Sequence, residues 1–178
     1  MGRLALAVLL GVAGAGGITI TEVDMMPDTM LGSQGYTLDE AWDEHEWLVG
    51  LAKQAAADYD LDEGIFLALV QQESSWNPDA KNKYSGCLGL CQLNPRFYDG
   101  YTVEELLVPE INVELGASTL AVNLRRFDSS YFSALVAYNW GSGYLLEAKA
   151  RRGGAWVTEL PNETRKYIRN VMLQSSEE

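Results

Sequence analysis

Glu73 is the side chain in this sequence whose type and spacing point most directly to chemistry. Ile65, Leu69 and Glu73 recur at intervals of four, with Phe66 and Val70 flanking the same stripe, so on a helix the carboxyl continues an apolar face and points inward. Burial raises a carboxyl pKa, and the negative end of the helix dipole, close by in the last turn, pushes the same way. A carboxylic acid still protonated near neutrality can act as a general acid. The plainer reading is a partly exposed residue at a helix C-terminus. Other catalytic constellations are poorly supplied. His45, the single histidine, sits among Asp43, Glu44 and Glu46 with no nucleophile motif nearby, and reads as a surface residue rather than a member of a Ser/His/Asp triad. Cys87 and Cys91 lie four apart with no second pair, so zinc-finger spacing is missing and no metal site is expected. Spacing leaves both a disulfide and free thiols open.

Glu73 needs a helix behind it and other elements to close the site. A helix is expected to start at Asp60 or Asp62 as N-cap and to run through Ile65, Phe66, Leu69 and Val70 to the Glu73-Ser74 region, with Asn77-Pro78 closing it. Before it, Trp47, Leu48, Leu51, Ala52 and Ala55 mark an amphipathic helix between Leu38 and Tyr59. After it, Gly86 and Gly89 make Lys81 to Leu93 a set of loops or a small hairpin. Thr102 and Glu105 form a capping box for a short helix. Val113, Gly116, Ala117, Leu120, Leu124 and Phe127 give the buried stripe of a longer one. Tyr131 to Tyr138 is apolar nearly all round and predicts a central buried helix. Ser142 is placed to cap a helix through Leu145 and Ala148, and a last helix after Pro161 carries Tyr167, Ile168, Val171 and Met172. No alternating run is long enough for a sheet. The expected class is mainly α.

A chain of 178 residues with 47% hydrophobic content suits one domain. Its net charge of -12 is uneven, with acids crowded between Glu22 and Glu63 and bases such as Arg125, Arg151 and Lys166 in the C-terminal third. We read these as solvated helix faces. So acidic a chain, with no basic arm, is a poor nucleic-acid binder. Residues Leu4 to Ile20 form an uncharged run after Arg3, and Ala13-Gly14-Ala15 has the form of a signal-peptidase site. Residues 1–20 are therefore expected to be a cleaved signal peptide, with an uncleaved anchor tethering the chain to a membrane as the alternative. Residues 21–37 read as a flexible tether, 38–174 as the folded domain and 175–178 as a tail.

Several blocks in order carry a family resemblance. Ala68-Leu69-Val70-Gln71-Gln72-Glu73-Ser74-Ser75-Trp76-Asn77-Pro78, then Ser85-Gly86-Cys87-Leu88-Gly89-Leu90-Cys91-Gln92-Leu93, resembles the soluble lytic transglycosylase family. Asn112 to Leu120 resembles that family's helix before its YNxG block, Ala137-Tyr138-Asn139-Trp140-Gly141 matches the block, and Leu160 to Tyr167 resembles its closing motif. The resemblance implies a single lysozyme-like helical domain with a small loop or hairpin region beside a groove for peptidoglycan glycan strands, and no cofactor. Glu73 falls at the family's catalytic glutamate, which protonates the glycosidic oxygen and then deprotonates the muramic acid 6-hydroxyl to leave a 1,6-anhydro sugar. By the same likeness Ser74 would orient Glu73 or a sugar substituent, Gln92 would hydrogen-bond substrate, Tyr138 and Asn139 would shape the pocket, and Tyr167 would face the groove. The plainer readings are a helix-end serine, a loop amide and a core tyrosine. Gly86, Gly89 and Gly141 serve backbone conformation. Cys91 departs from the family's methionine in GLMQ and puts substrate packing at that position in question.

Two rivals remain on the sequence. A hydrolytic lysozyme needs a second carboxylate, about 5 to 9.5 Å from the first; Asp79 and Asp99 are the acids nearby in sequence, and Asp79 looks like turn chemistry. A structural peptidoglycan-binding component of a virion or envelope machine is the rival of another class. Either way the expected location is the periplasm or cell envelope, or a virion if phage-encoded.

Overall fold

A computed structural model describes residues 44–176. The leader and tether expected at 1–20 and 21–37 lie outside the described residues, as do 38–43 and the last two positions of the tail. Among the described residues no helix is long and apolar enough to cross a membrane.

Helices α1 (Glu44–Asp58) and α2 (Glu63–Ser74) form the first pair. Asp62 is the cap of α2: its carboxylate accepts from the Ile65 amide at 2.9 Å, satisfying a donor the helix leaves unpaired. Every residue from Ile65 to Val70 is buried, so α2 is the central helix. It packs against α1 on one side and α7 (Asn162–Gln174) on another. The helix ends at Ser74, within the expected region, ahead of Asn77-Pro78. Ser75 and Trp76 both adopt left-handed backbone, at φ 53° and 63°, and turn the chain out directly after Ser74.

The capping box forms as expected at α3 (Val103–Leu106), with Thr102 and Glu105 bonded reciprocally. Helix α4 (Pro109–Arg126) buries Val113, Gly116, Ala117 and Leu120 against α1 and α5 (Tyr131–Val136). The expectation for Tyr131 to Tyr138 needs correction. The α-helix lasts only to Val136 and passes into a π-helical segment, Ala137–Gly141, and Phe132 is 41% exposed, its ring meeting Trp156 instead of the core. Ser142 is likewise no cap. It lies inside the continuing helix α6 (Ser142–Arg152), where its hydroxyl accepts from Arg126. Arg151 and Arg152 both pair with Glu159, holding the 3-10 segment Gly153–Glu159 against α6.

No strand forms among the described residues; Lys81 to Leu93 is a looped region with isolated bridges pairing Leu88 with Lys81 and with Leu93. Asn112, fully buried on α4, pins it. Its Oδ1 accepts from the Cys91 amide at 2.7 Å, and its Nδ2 donates to the Leu88 and Leu106 carbonyls at 3.0 and 2.6 Å. Gly89 stands at φ 72° directly over this side chain, where a Cβ would come within 2.7 Å of the Asn112 Cγ. Glycine is required there twice over, by conformation and by space.

Candidate active site

Glu73 lies in the last turn of α2, on the face that buries Ile65 and Leu69. Its carboxylate Oε1 accepts a 2.7 Å hydrogen bond from the Tyr167 hydroxyl of α7, across 94 residues of chain. One helical position earlier, Gln72 Oε1 accepts from Asn170 Nδ2 at 3.0 Å, so two adjacent ties lock the end of α2 to α7. The residue as a whole keeps partial exposure, but its carboxyl is withdrawn from water. Desolvation pushes its pKa from 4.5 up to about 7, against a smaller lowering by the Tyr167 bond, which favours the ionised form. A group so poised holds its proton near neutrality and can also give it up.

The neighbours are polar and uncharged. Tyr138 enters from the π-helical segment and donates its hydroxyl to the Cys91 carbonyl at 2.9 Å. Burial, first, and then proximity to Cys91, Glu73 and Tyr167 raise the Tyr138 pKa well above its usual value, and Tyr167 is held up in the same way. Both remain hydrogen-bond donors throughout the physiological range. Cys91 is a free, fully buried thiol whose pKa is raised by burial and by the nearby Glu73. It rests on Gly116: a Cβ on Gly116 would approach within 2.6 Å of the Cys91 Cβ. Cys87 is also free, which decides between the two readings of the cysteines.

Of the residues singled out in the sequence, Glu73, Tyr138 and Tyr167 come together with Cys91. The remaining three point elsewhere. The Ser74 hydroxyl turns back to the Val70 carbonyl at 3.3 Å rather than to Glu73. Gln92, in left-handed backbone at φ 49°, donates its amide to the Gly89 carbonyl at 2.9 Å. Asn139 is exposed on the π-helical segment. Sequence reasoning missed Asn112 and Gly116 as the supports of the loop. A buried-phase asparagine beside Val113, on the face that also carries Gly116, was the available signal. His45 is exposed and stands edge-on to Trp76, with ring centroids 5.4 Å apart. Among the described residues no cluster of three or more potential metal ligands occurs.

Comparison with known proteins agrees with this architecture. The chain is 32% identical over 130 residues to a soluble lytic murein transglycosylase of Salmonella typhimurium, covering 64% of this chain and 20% of that protein. It is 34% identical over 103 residues to the membrane-bound lytic murein transglycosylase F 2 of Alkalilimnicola ehrlichii, covering 54% and 23%. Its fold superimposes on the 70 kDa soluble lytic transglycosylase of Escherichia coli with a TM-score of 0.63 and 29% identity, over 71% of this chain and 23% of that one. The chain thus spans about a fifth to a quarter of the length of these relatives. The transglycosylase SLT domain matches residues 50–157, a span that holds Glu73 and Tyr138 but stops short of Tyr167. With more than half its length matched, the chain belongs to the transglycosylase SLT domain family.

Proposed function

We propose that this chain is a peptidoglycan lytic transglycosylase that cleaves the β-1,4 bond between N-acetylmuramic acid and N-acetylglucosamine, with Glu73 as acid and then base. The observation that carries the reading is the Tyr167 hydroxyl bonded to the Glu73 carboxyl at the end of a buried helix, where desolvation pushes the Glu73 pKa up to about 7 and the uncharged Tyr138 and Cys91 side chains lie close by. Protonated Glu73 gives its proton to the glycosidic oxygen as the bond to the muramic acid C1 breaks. The sugar's acetamido oxygen stabilises the positive charge developing at that carbon. The Glu73 carboxylate then takes the proton of the C6 hydroxyl as its oxygen bonds C1, which closes the 1,6-anhydro ring and regenerates the acid. No water is consumed. One carboxyl serves both steps because its pKa lies near the working pH.

Tyr167 orients the carboxyl and stabilises its ionised form between the two steps. Tyr138 fixes the loop at Cys91; Gln92, its amide nitrogen engaged by Gly89, would reach the glycan only through its amide oxygen, and exposed Asn139 only from the edge of the site. Ser74, whose hydroxyl is engaged by its own helix, would meet a sugar substituent only by a rotamer change. Hydrolysis would call for a second carboxylate, about 5 to 9.5 Å away, whereas Glu73 is governed by burial and by a tyrosine. Residues 38–174 form the catalytic domain in this reading, with 1–20 directing export and 21–37 as tether, so that the enzyme works in the periplasm or cell envelope. Mass spectrometry of the soluble fragments released from purified peptidoglycan tests it. Anhydromuropeptides are expected; reducing-end products would mean a lysozyme, and binding without product a structural component.

A further inference from the structure

The π-helical segment that brings Tyr138 inward also sets an aromatic pair at the surface. Trp140 and Tyr144 have ring centroids 5.9 Å apart and planes inclined by only 19°, an offset stack. Trp140 is half-buried and packs against the hydrophobic core, so it is a fixed base; Tyr144 is 62% exposed. Between them Gly141 has φ 103°, a backbone conformation that favours glycine. Arg126 donates to Ser142 at 3.3 Å and ties the start of α6 to α4. Tyr138, Asn139 and Trp140 follow one another on the π-helical segment, with the Tyr138 hydroxyl bonded inward to Cys91 and Asn139 exposed.

We propose that Trp140 and Tyr144, which follow Tyr138 along the chain, form a sugar platform that stacks on the apolar face of an N-acetylhexosamine ring of the glycan strand. In a β-1,4-linked strand the chair-form rings direct axial C–H groups to their faces, and an aromatic ring is negative over its own face, so the two surfaces attract. Rigid aromatic rings lose little conformational freedom on binding, and a pre-stacked pair loses less. The platform touches a ring away from the reacting atoms, so it contributes to affinity and register rather than to bond cleavage. The inference rests on the transglycosylase reading for its ligand.

The test compares the dissociation constant of soluble, uncrosslinked peptidoglycan strands for the full chain carrying Glu73→Gln with that of the same protein carrying in addition Tyr144→Ala, Tyr144→Leu or Tyr144→Phe. Loss of the ring in either the Ala or the Leu form is expected to weaken binding by roughly 2- to 10-fold, the worth of one aromatic contact, while Phe retains it. Leucine guards against a trivial loss of helix stability in the alanine form. Equal binding by all four proteins, or no binding by the Glu73→Gln protein itself, overturns the platform. Because the measurement needs no turnover, failure of the enzymatic reading registers separately, as absence of fragments from the unsubstituted chain.

Discussion

The Tyr167 hydroxyl donates to the Glu73 carboxylate at 2.7 Å and joins the last turn of one helix to the middle of another 94 residues later. This contact sets both the orientation and the ionisation of the candidate acid. Burial alone would raise the Glu73 pKa further; the tyrosine holds it at about 7 by favouring the charged form.

Tyr167→Phe removes that donor, so the Glu73 pKa rises. The step that needs protonated Glu73 fails as pH climbs through the folded pKa of about 7, and in the variant this alkaline loss of activity moves to higher pH. On the acid side the rate falls by about fivefold, the worth of one hydrogen bond of about 1 kcal/mol. A pH-rate profile of fragment release checks both. An unmoved alkaline limb would mean that Tyr167 does not act on Glu73.

Glu73→Gln should stabilise the fold at alkaline pH. The folded pKa lies above the ordinary value, so the native state holds the proton more tightly than the unfolded chain. Native stability is therefore lost as pH rises from about 4.5 through about 7, reaching at most about 3 kcal/mol. Glutamine carries no such penalty. Urea unfolding at pH 4 and pH 8 should show the variant gaining on the parent by up to that amount at the higher pH, and a pH-independent difference would contradict the buried acid.

Gly116→Ala sets a methyl group against the Cys91 Sγ, and within 2.6 Å of the Cβ behind it, in a buried site, and overpacking of this kind costs about 1 to 3 kcal/mol. Adding Cys91→Ala should relieve part of that loss, giving strong coupling between the two sites in a double-mutant cycle read by thermal or chemical unfolding. Additive losses would show that the two positions do not share one space.

Much of this arrangement was legible in the sequence because it rests on local rules. Four-residue spacing put Glu73 on the buried face, Thr102 marked one helix start, and Asp60 or Asp62 marked another, at which the structure uses Asp62. What the sequence did not disclose depends on contacts between distant segments or on backbone that propensity does not encode. Asn112 reads as an ordinary polar residue until its three bonds to Cys91, Leu88 and Leu106 are seen. Ser75 and Trp76 take left-handed backbone directly after α2 without glycine, a turn that propensity does not signal. The all-apolar stretch from Tyr131 suggested an enclosed helix, but its second half widens into a π-turn and Phe132 leans on Trp156 near the surface. In the site, Glu73 and its tyrosine partners were nameable, whereas the inward turn of the Gln92 amide and the backward turn of Ser74 were not.

The central claim is that one carboxyl does both proton transfers, and the rate of anhydromuropeptide release by Glu73→Gln tests it most directly. Glutamine preserves the shape and can still accept from Tyr167, but it has no proton to give and cannot take one up. With folding checked by thermal unfolding and strand binding retained, release should fall by at least about 100-fold, the lower range of what general acid–base catalysis contributes. Release by the variant within a few-fold of the parent would contradict the account and place the acid elsewhere.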